Sequence, residues 1–232
     1  MSVVLITGAA QGLGREVARQ LAAGGHDVIL SARNPAAARQ AAAEVGARAL
    51  PVGLDVTAAD AVTVAAREVQ ELDVLVNNAA AYVDWTETVS GADLDAARRV
   101  METNLYGPWR LTQALLPALR RSVAARIVNV SSGAGSHADP SFGLTARRGA
   151  AASYGISKAA VNALTSTLAT ELTGTGILVN AVCPGLTATW PGAETMGARP
   201  VEQSAAGVVW AATLPEGGPT GGFFRDGAPL PW

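Results

Sequence analysis

The chain has 232 residues, 49% hydrophobic and 16% charged. That length fits one domain and that balance fills a core, which excludes a disordered chain. With 17 basic and 19 acidic residues the net charge is −2, and no basic run appears, which excludes a nucleic-acid binder held by phosphate contacts. The lone Cys183 excludes an internal disulfide and a cysteine-cluster metal site, and no His/Asp/Glu spacing suggests a metal. The start, MSVVLITGAAQG, carries no positively charged region or cleavage signal, and the longest uncharged stretch is broken by glycines and prolines. A cytoplasmic protein without a membrane span is the expectation.

In chain order, Val3 to Ile6 reads as a strand, followed by a glycine turn and a helix over Leu13 to Ala23. Asp27 to Ser31 is a second strand, and Pro35 to Val45 an alanine-rich helix with proline in its first turn. Ala47 to Val52 is a third strand, and Thr57 is placed to cap a helix running to about Glu71. Val74 to Val76 is a fourth strand, ending at Asn77-Asn78. Asp93 to Arg121 reads as one long helix despite Gly107-Pro108, and Arg126 to Val130 as a fifth strand. After an irregular polar stretch, Ala151 to Leu172 is helical, and Ile177 to Val182 is a sixth strand stopped by Pro184-Gly185. A short helix over Val201 to Thr213 precedes the last strand candidate, Gly221 to Phe224, and a proline-bearing tail. Such alternation predicts one doubly wound α/β domain over 1–232, a mostly parallel seven-stranded sheet with helices on both faces. Sheets of this kind bind ligands at the carboxyl ends of their strands. The unusual clusters lie there: Gly8 to Gly14, Arg33, Asp55, Asn77 to Ala80, Ser131-Ser132 and Pro184-Gly185.

Two motifs carry chemistry. Thr7-Gly8-Ala9-Ala10-Gln11-Gly12-Leu13-Gly14 sits between a strand and a helix. Its glycines turn the backbone tightly and open the helix N-terminus to a pyrophosphate, so dinucleotide binding is expected. Tyr154 and Lys158 stand at i and i+4 on a helix, one face sharing phenol and ammonium. A nearby cation lowers a phenol's pKa and makes it a useful acid/base near neutral pH. The alternative is an ordinary exposed pair, but Lys158 is the only lysine among 17 basic residues. A compact ammonium where arginine's fork would not serve points to the chemical role.

These motifs together resemble the short-chain dehydrogenase/reductase family over nearly the whole chain. Its glycine loop is Thr7 to Gly14, and its NNAG is Asn77-Asn78-Ala79-Ala80, with alanine for the last glycine. Its helix asparagine matches Asn104, its strand-end serine Ser132, its YxxxK Tyr154 and Lys158, and its PG turn Pro184-Gly185. The ending GPTGGFFRDGAPLPW is similar to carbonyl-reductase-like members. The resemblance implies a Rossmann-type domain and a set of roles. Tyr154 protonates the developing alkoxide, and Lys158 holds nicotinamide ribose hydroxyls and depresses the tyrosine pKa. Ser132, rather than its neighbour Ser131, bonds the substrate oxygen, and Asn104 positions a water that links Lys158 to solvent. Cofactor contacts fall on Thr7, Gly8, Gln11, Gly12, Leu13, Gly14, Asp55, Val56, Asn77, Ala79, Tyr154, Lys158, Pro184, Gly185, Thr187 and Thr189. Asn77 also ties neighbouring strands, and Asp55 is alternatively a plain helix-entry carboxylate.

At the end of the second strand, where NAD enzymes of this fold place an acid, stand Ala32 and then Arg33. A guanidinium suits a 2′-phosphate, so NADPH/NADP is the expected cofactor, although Gln11 is not the basic residue many such members carry. Trp85, His137 and Trp190 are placed to face a substrate, a small-molecule ketone, aldehyde, alcohol or imine-like compound. His26 reads as a surface residue, Cys183 as a small buried one, and Trp109 and Trp210 as packing. A dinucleotide-sensing protein on the same fold is the rival from another class, and an epimerase the rival enzyme, disfavoured by chain length and glycine spacing. Ser132 and Tyr154 are 22 positions apart, longer than is usual in the family. The intervening Gly133 to Ser153 reads as an exposed loop that should border the substrate mouth. The resemblance, in which carbonyl reductases with a larger insertion here are monomers, implies a homodimer sooner than a tetramer, and the alternative is a surface bulge that affects neither.

Overall fold

The computed structural model describes residues 1–49 and 53–232. Strands β1 (Val3–Ile6), β2 (Asp27–Leu30), β3 (Arg48–Ala49), β4 (Val74–Asn77), β5 (Arg126–Val130), β6 (Leu178–Val182), β7 (Phe223–Arg225) and β8 (Ala228–Pro229) form one sheet. Its order is β3-β2-β1-β4-β5-β6-β7-β8. The seven expected strands make the parallel body, and the two-residue β8 returns antiparallel on β7. The helices are α1 (Gly12–Ala23), α2 (Pro35–Val45), α3 (Ala59–Glu68), α4 (Leu94–Met101), α5 (Gly107–Leu119), α6 (Ala152–Glu171) and α7 (Val201–Ala212).

Parallel strands buried on both faces need apolar residues at nearly every position, and β4, β5 and β6 are buried throughout. Alternation sends Val4, Ile6, Val28, Leu30, Val74 and Val76 against Val17 and Leu21 of α1, Ala38 and Ala41 of α2, and Val208 of α7. Leu5, Ile29, Leu75, Ile127 and Val179 meet Val62 of α3, Leu111 and Leu115 of α5, and Ala169 of α6 on the other face. Each fully buried leucine or isoleucine contributes about 1.5–3 kcal/mol by leaving water. The order reverses between β1 and β4, so a crevice opens at their carboxyl ends.

Local chemistry sets the element ends. Asn34 Oδ1 accepts the Ala36 and Ala37 N–H groups at 2.9 and 3.3 Å, Pro35 starts α2, and Gly46 ends it in the left-handed region. Thr57 does not cap α3. Ala58 is the N-cap, without a side-chain bond, because the Thr57 hydroxyl turns back to Asp55 Oδ1 at 2.7 Å. Of the expected third strand the described residues show Arg48–Ala49, and its remaining positions 50–52 lie outside the described residues. The long helix expected over Asp93 to Arg121 is divided. A π-helical turn, Glu102–Tyr106, separates α4 from α5, with the Gly107 N–H donating to the Glu102 carbonyl. Pro108 has no N–H to give the Asn104 carbonyl, so the regular turn cannot close there. Trp210 packs on Phe224 at 5.0 Å, whereas Trp109 is 45% exposed, which corrects its reading as a packing residue. His26 is half-buried at the head of β2. No helix among the described residues is long and apolar enough to cross a membrane, and they contain no metal-ligating cluster.

Candidate active site

The glycine loop leaves β1 and enters α1 at the crevice. No side chain caps α1 and its first turn holds no acid, so its N–H groups face the crevice without a competing anion. A Cβ on Gly14 would lie 2.5 Å from Asn78 Nδ2 and 2.9 Å from the Gly8 carbonyl oxygen, so only glycine lets the loop press on the end of β4. Thr7 fixes that junction: its hydroxyl donates to the Val76 carbonyl and accepts the Asn78 and Ala79 N–H groups, both at 3.0 Å. A Cβ on Gly12 would meet the Thr189 methyl at 3.3 Å, which brings the loop after β6 to the same place. Gln11, Leu13 and Ala79 lie along this cleft, Gln11 exposed and the other two half-buried. These features fit a dinucleotide pyrophosphate.

Asn77 Nδ2 donates to Asn129 Oδ1 at 2.9 Å, tying β4 to β5 as expected. Asp55 Oδ1 accepts the Thr57 N–H, so this carboxylate serves the turn before α3, and the Val56 carbonyl accepts from Arg110. Arg33 is exposed at the end of β2, and no hydrogen bond or ion pair holds its side chain among the described residues.

The expected catalytic residues meet at the ends of β5 and α6. Ser131 is consumed: its hydroxyl donates to Asn162 Oδ1 at 2.6 Å. Ser132, half-buried, accepts the Ala134 N–H at 3.2 Å, and its hydroxyl draws the Tyr154 phenol pKa downward. A Cβ on Gly135 would lie 2.5 Å from the Lys158 carbonyl carbon, so this glycine lets the serine loop rest on α6. Asn104 accepts the Ala81 N–H at 2.7 Å and donates to the Ala81 carbonyl and to Ser157 Oγ, each at 3.0 Å. Its amide therefore clamps the loop after β4 to α6 and does not touch Lys158.

Lys158 is 3% exposed, donates to the Val130 carbonyl at 2.8 Å, and lies 5.7 Å from the Tyr154 ring centroid. Burial pulls its ammonium down to about 8, against the opposing influence of Cys183. Burial pushes the Tyr154 phenol up, Tyr82 adds to this, and Ser132 pulls the other way. This corrects the expectation of a phenol pKa lowered by Lys158. The ammonium is engaged with Val130, and aromatic rings cover the phenol. The Tyr82 ring stacks on Tyr154 at 5.3 Å and 24°, and Trp85 stands edge-on to it at 5.4 Å and 71°.

Sequence reasoning missed Tyr82, Glu87, Asp139 and Arg225. Glu87 Oε2 accepts the Ser153 N–H and hydroxyl at 2.8 and 2.7 Å, capping α6 from the loop after β4, where the helix's own N-cap Ala151 has no side chain to offer. Cys183 Sγ accepts from the Gly133 N–H at 3.1 Å, the Gly185 N–H at 3.4 Å and Arg225 Nη2 at 3.1 Å. Arg225 also pairs with Asp139 at 3.1 Å, so the long loop is fastened behind Ser132. In the PG turn, the Pro184 carbonyl accepts from Arg199, and Thr187 donates to the Gly185 carbonyl at 3.1 Å. Trp85 packs on Tyr154; His137 and Trp190 are exposed, with no aromatic contact to it.

A doubly wound sheet, a glycine loop at its switch point and a buried Ser-Tyr-Lys cluster define a dinucleotide-dependent oxidoreductase. The short chain dehydrogenase family matches residues 2–196, and the chain belongs to it. Galactitol 2-dehydrogenase (L-tagatose-forming) of Cereibacter sphaeroides is 40% identical over 191 residues, 79% of this chain and 70% of that protein. The NADPH-bound carbonyl reductase from chicken fatty liver superposes with a TM-score of 0.85 at 29% identity, covering 100% of this chain and 99% of that one. A 3-oxoacyl-[acyl-carrier protein] reductase with bound NAD from Brucella melitensis gives 0.84 at 29% identity, covering 97% and 89%.

Proposed function

We propose that the protein is an NADPH-dependent reductase of ketones or aldehydes. The observation that carries this is the Ser132-Tyr154-Lys158 cluster, with the Lys158 ammonium 5.7 Å from the ring centroid of Tyr154 and both side chains buried. A reduced nicotinamide dinucleotide supplies hydride when bound. The glycine loop, the uncapped α1 N-terminus, Thr189 and the PG turn hold and orient it. Ser132 donates a hydrogen bond to the substrate oxygen. Tyr154, protonated at neutral pH, gives that oxygen its proton, and the reaction needs the phenol's raised pKa brought back toward neutrality by the charge of Lys158. Lys158 keeps a positive charge beside the phenolate so formed. Arg33, exposed next to Ala32, which stands where an acid would read a 2′-hydroxyl, supports NADP over NAD. The reading extends to a cytoplasmic homodimer. Its long loop docks on its own chain through Arg225–Asp139 and the Ser136 bond to the Pro231 carbonyl, which covers surface near β7.

The test is a panel of ketones, aldehydes and alcohols with NADPH and NADH in parallel, followed by nicotinamide absorbance. Carbonyl reduction with a higher kcat/KM for NADPH is expected. Silence across the panel with both cofactors refutes the reductase, and equal or better use of NADH refutes the cofactor assignment.

A further inference from the structure

The wall over Tyr154 is built of rings. Tyr82 and Trp85 touch each other at 6.0 Å and both touch the catalytic phenol, yet they keep 63% and 42% of their surface exposed. Polar groups around them are engaged within the protein. Asp84 Oδ1 accepts from the Thr86 N–H and hydroxyl, Glu87 is bonded to Ser153, and Asn104 to Ala81 and Ser157. A polyol needs carboxylate or amide acceptors for its hydroxyls, and Asp84 Oδ1, Glu87 Oε2 and the Asn104 amide already serve the protein itself. The exposed surface of two neighbouring rings remains, and aromatic surface favours a further ring against it.

We propose that the substrate is an aryl ketone or aryl aldehyde, its ring laid on Tyr82 and Trp85 while its carbonyl oxygen reaches Tyr154 and Ser132. This rests on the carbonyl-reductase reading and narrows it. The reaction balances as carbonyl plus NADPH plus a proton giving alcohol plus NADP. Hydride forms the new C–H bond, the C=O π pair moves to oxygen, and the phenol proton completes the hydroxyl before being restored from solvent. The proposal separates this chain from its galactitol-oxidising relative.

Binding is measured by calorimetry on the full chain without added nicotinamide, using acetophenone, its saturated counterpart cyclohexyl methyl ketone, and a ketohexose. Acetophenone should bind about tenfold more tightly than the saturated ketone, the worth of favourable ring contacts. The ketohexose should not bind. Trp85→Ala and Tyr82→Ala should each erase most of that preference, and Trp85→Phe should retain it. Equal affinity for the matched ketones, or a preference that survives both alanine variants, overturns the proposal. If acetophenone binds with the expected preference but is not reduced with NADPH or NADH, the ring site stands and the carbonyl-reductase reading falls.

Discussion

Lys158 makes a measurable demand on stability. Its folded pKa of about 8 lies below the 10.5 of a free lysine. Below pH 8 both folded and unfolded chains hold the proton, and the folded state bears the full burden of the buried charge. Between 8 and 10.5 the unfolded chain keeps a proton that the folded one has released, so stability rises with pH. Tyr154 acts oppositely, since its pKa is raised above 10.0 and the unfolded phenol ionises first beyond that value. The range from pH 7.5 to 9.5 lies below the tyrosine's effect, and comparison with Lys158→Met separates the lysine's part from other groups that titrate there. At 1.36 kcal/mol per pKa unit, the protein without added nicotinamide should gain about 2 kcal/mol across it. For a chain of this size that is roughly 4–8 °C in Tm. Urea or thermal melts of wild type and Lys158→Met at the two pH values measure it. Wild type should rise and Lys158→Met should lose the rise. A flat wild-type profile, or the same slope in both proteins, refutes the argument.

Arg33→Ala should lower kcat/KM for NADPH about tenfold with little effect on NADH, the loss expected for one exposed charge-assisted contact. An unchanged cofactor ratio contradicts it. Gly14→Ala should weaken dinucleotide binding at least tenfold in a fluorescence titration, because its Cβ would drive into Asn78 and the Gly8 carbonyl; native affinity would show that the loop adapts. Cys183→Ala leaves two backbone N–H groups and Arg225 without their sulfur acceptor, a loss of about 1–3 kcal/mol in denaturant unfolding. A stability equal to wild type contradicts that role for the sulfur.

The fold was legible because parallel strands buried on both faces leave continuous apolar runs, and β1, α2 and β5 fall within the residues expected for them. Asn104, Ser132, Tyr154 and Lys158 could be placed because each sits in a local motif. The division of α4 from α5 was not legible, since Gly107-Pro108 signals a disturbed helix without saying that a π turn accommodates it. The direction of the Tyr154 shift was missed for another reason. Spacing put Lys158 beside the phenol, but the rings that bury it come from the loop after β4, and such contacts follow from tertiary packing alone. The same holds for Glu87 capping α6 and for Arg225 reaching Cys183 and Asp139, pairs separated by 66, 42 and 86 positions.

The central claim is that Tyr154 delivers the proton to a carbonyl oxygen. Its most direct test is NADPH oxidation with acetophenone by wild type and Tyr154→Phe at pH 7, with cofactor affinity measured on both. Wild type should turn over, and Tyr154→Phe should lose at least about a hundredfold in kcat, the contribution of general acid catalysis, while binding NADPH as before. Turnover in Tyr154→Phe within a few-fold of wild type would contradict the account.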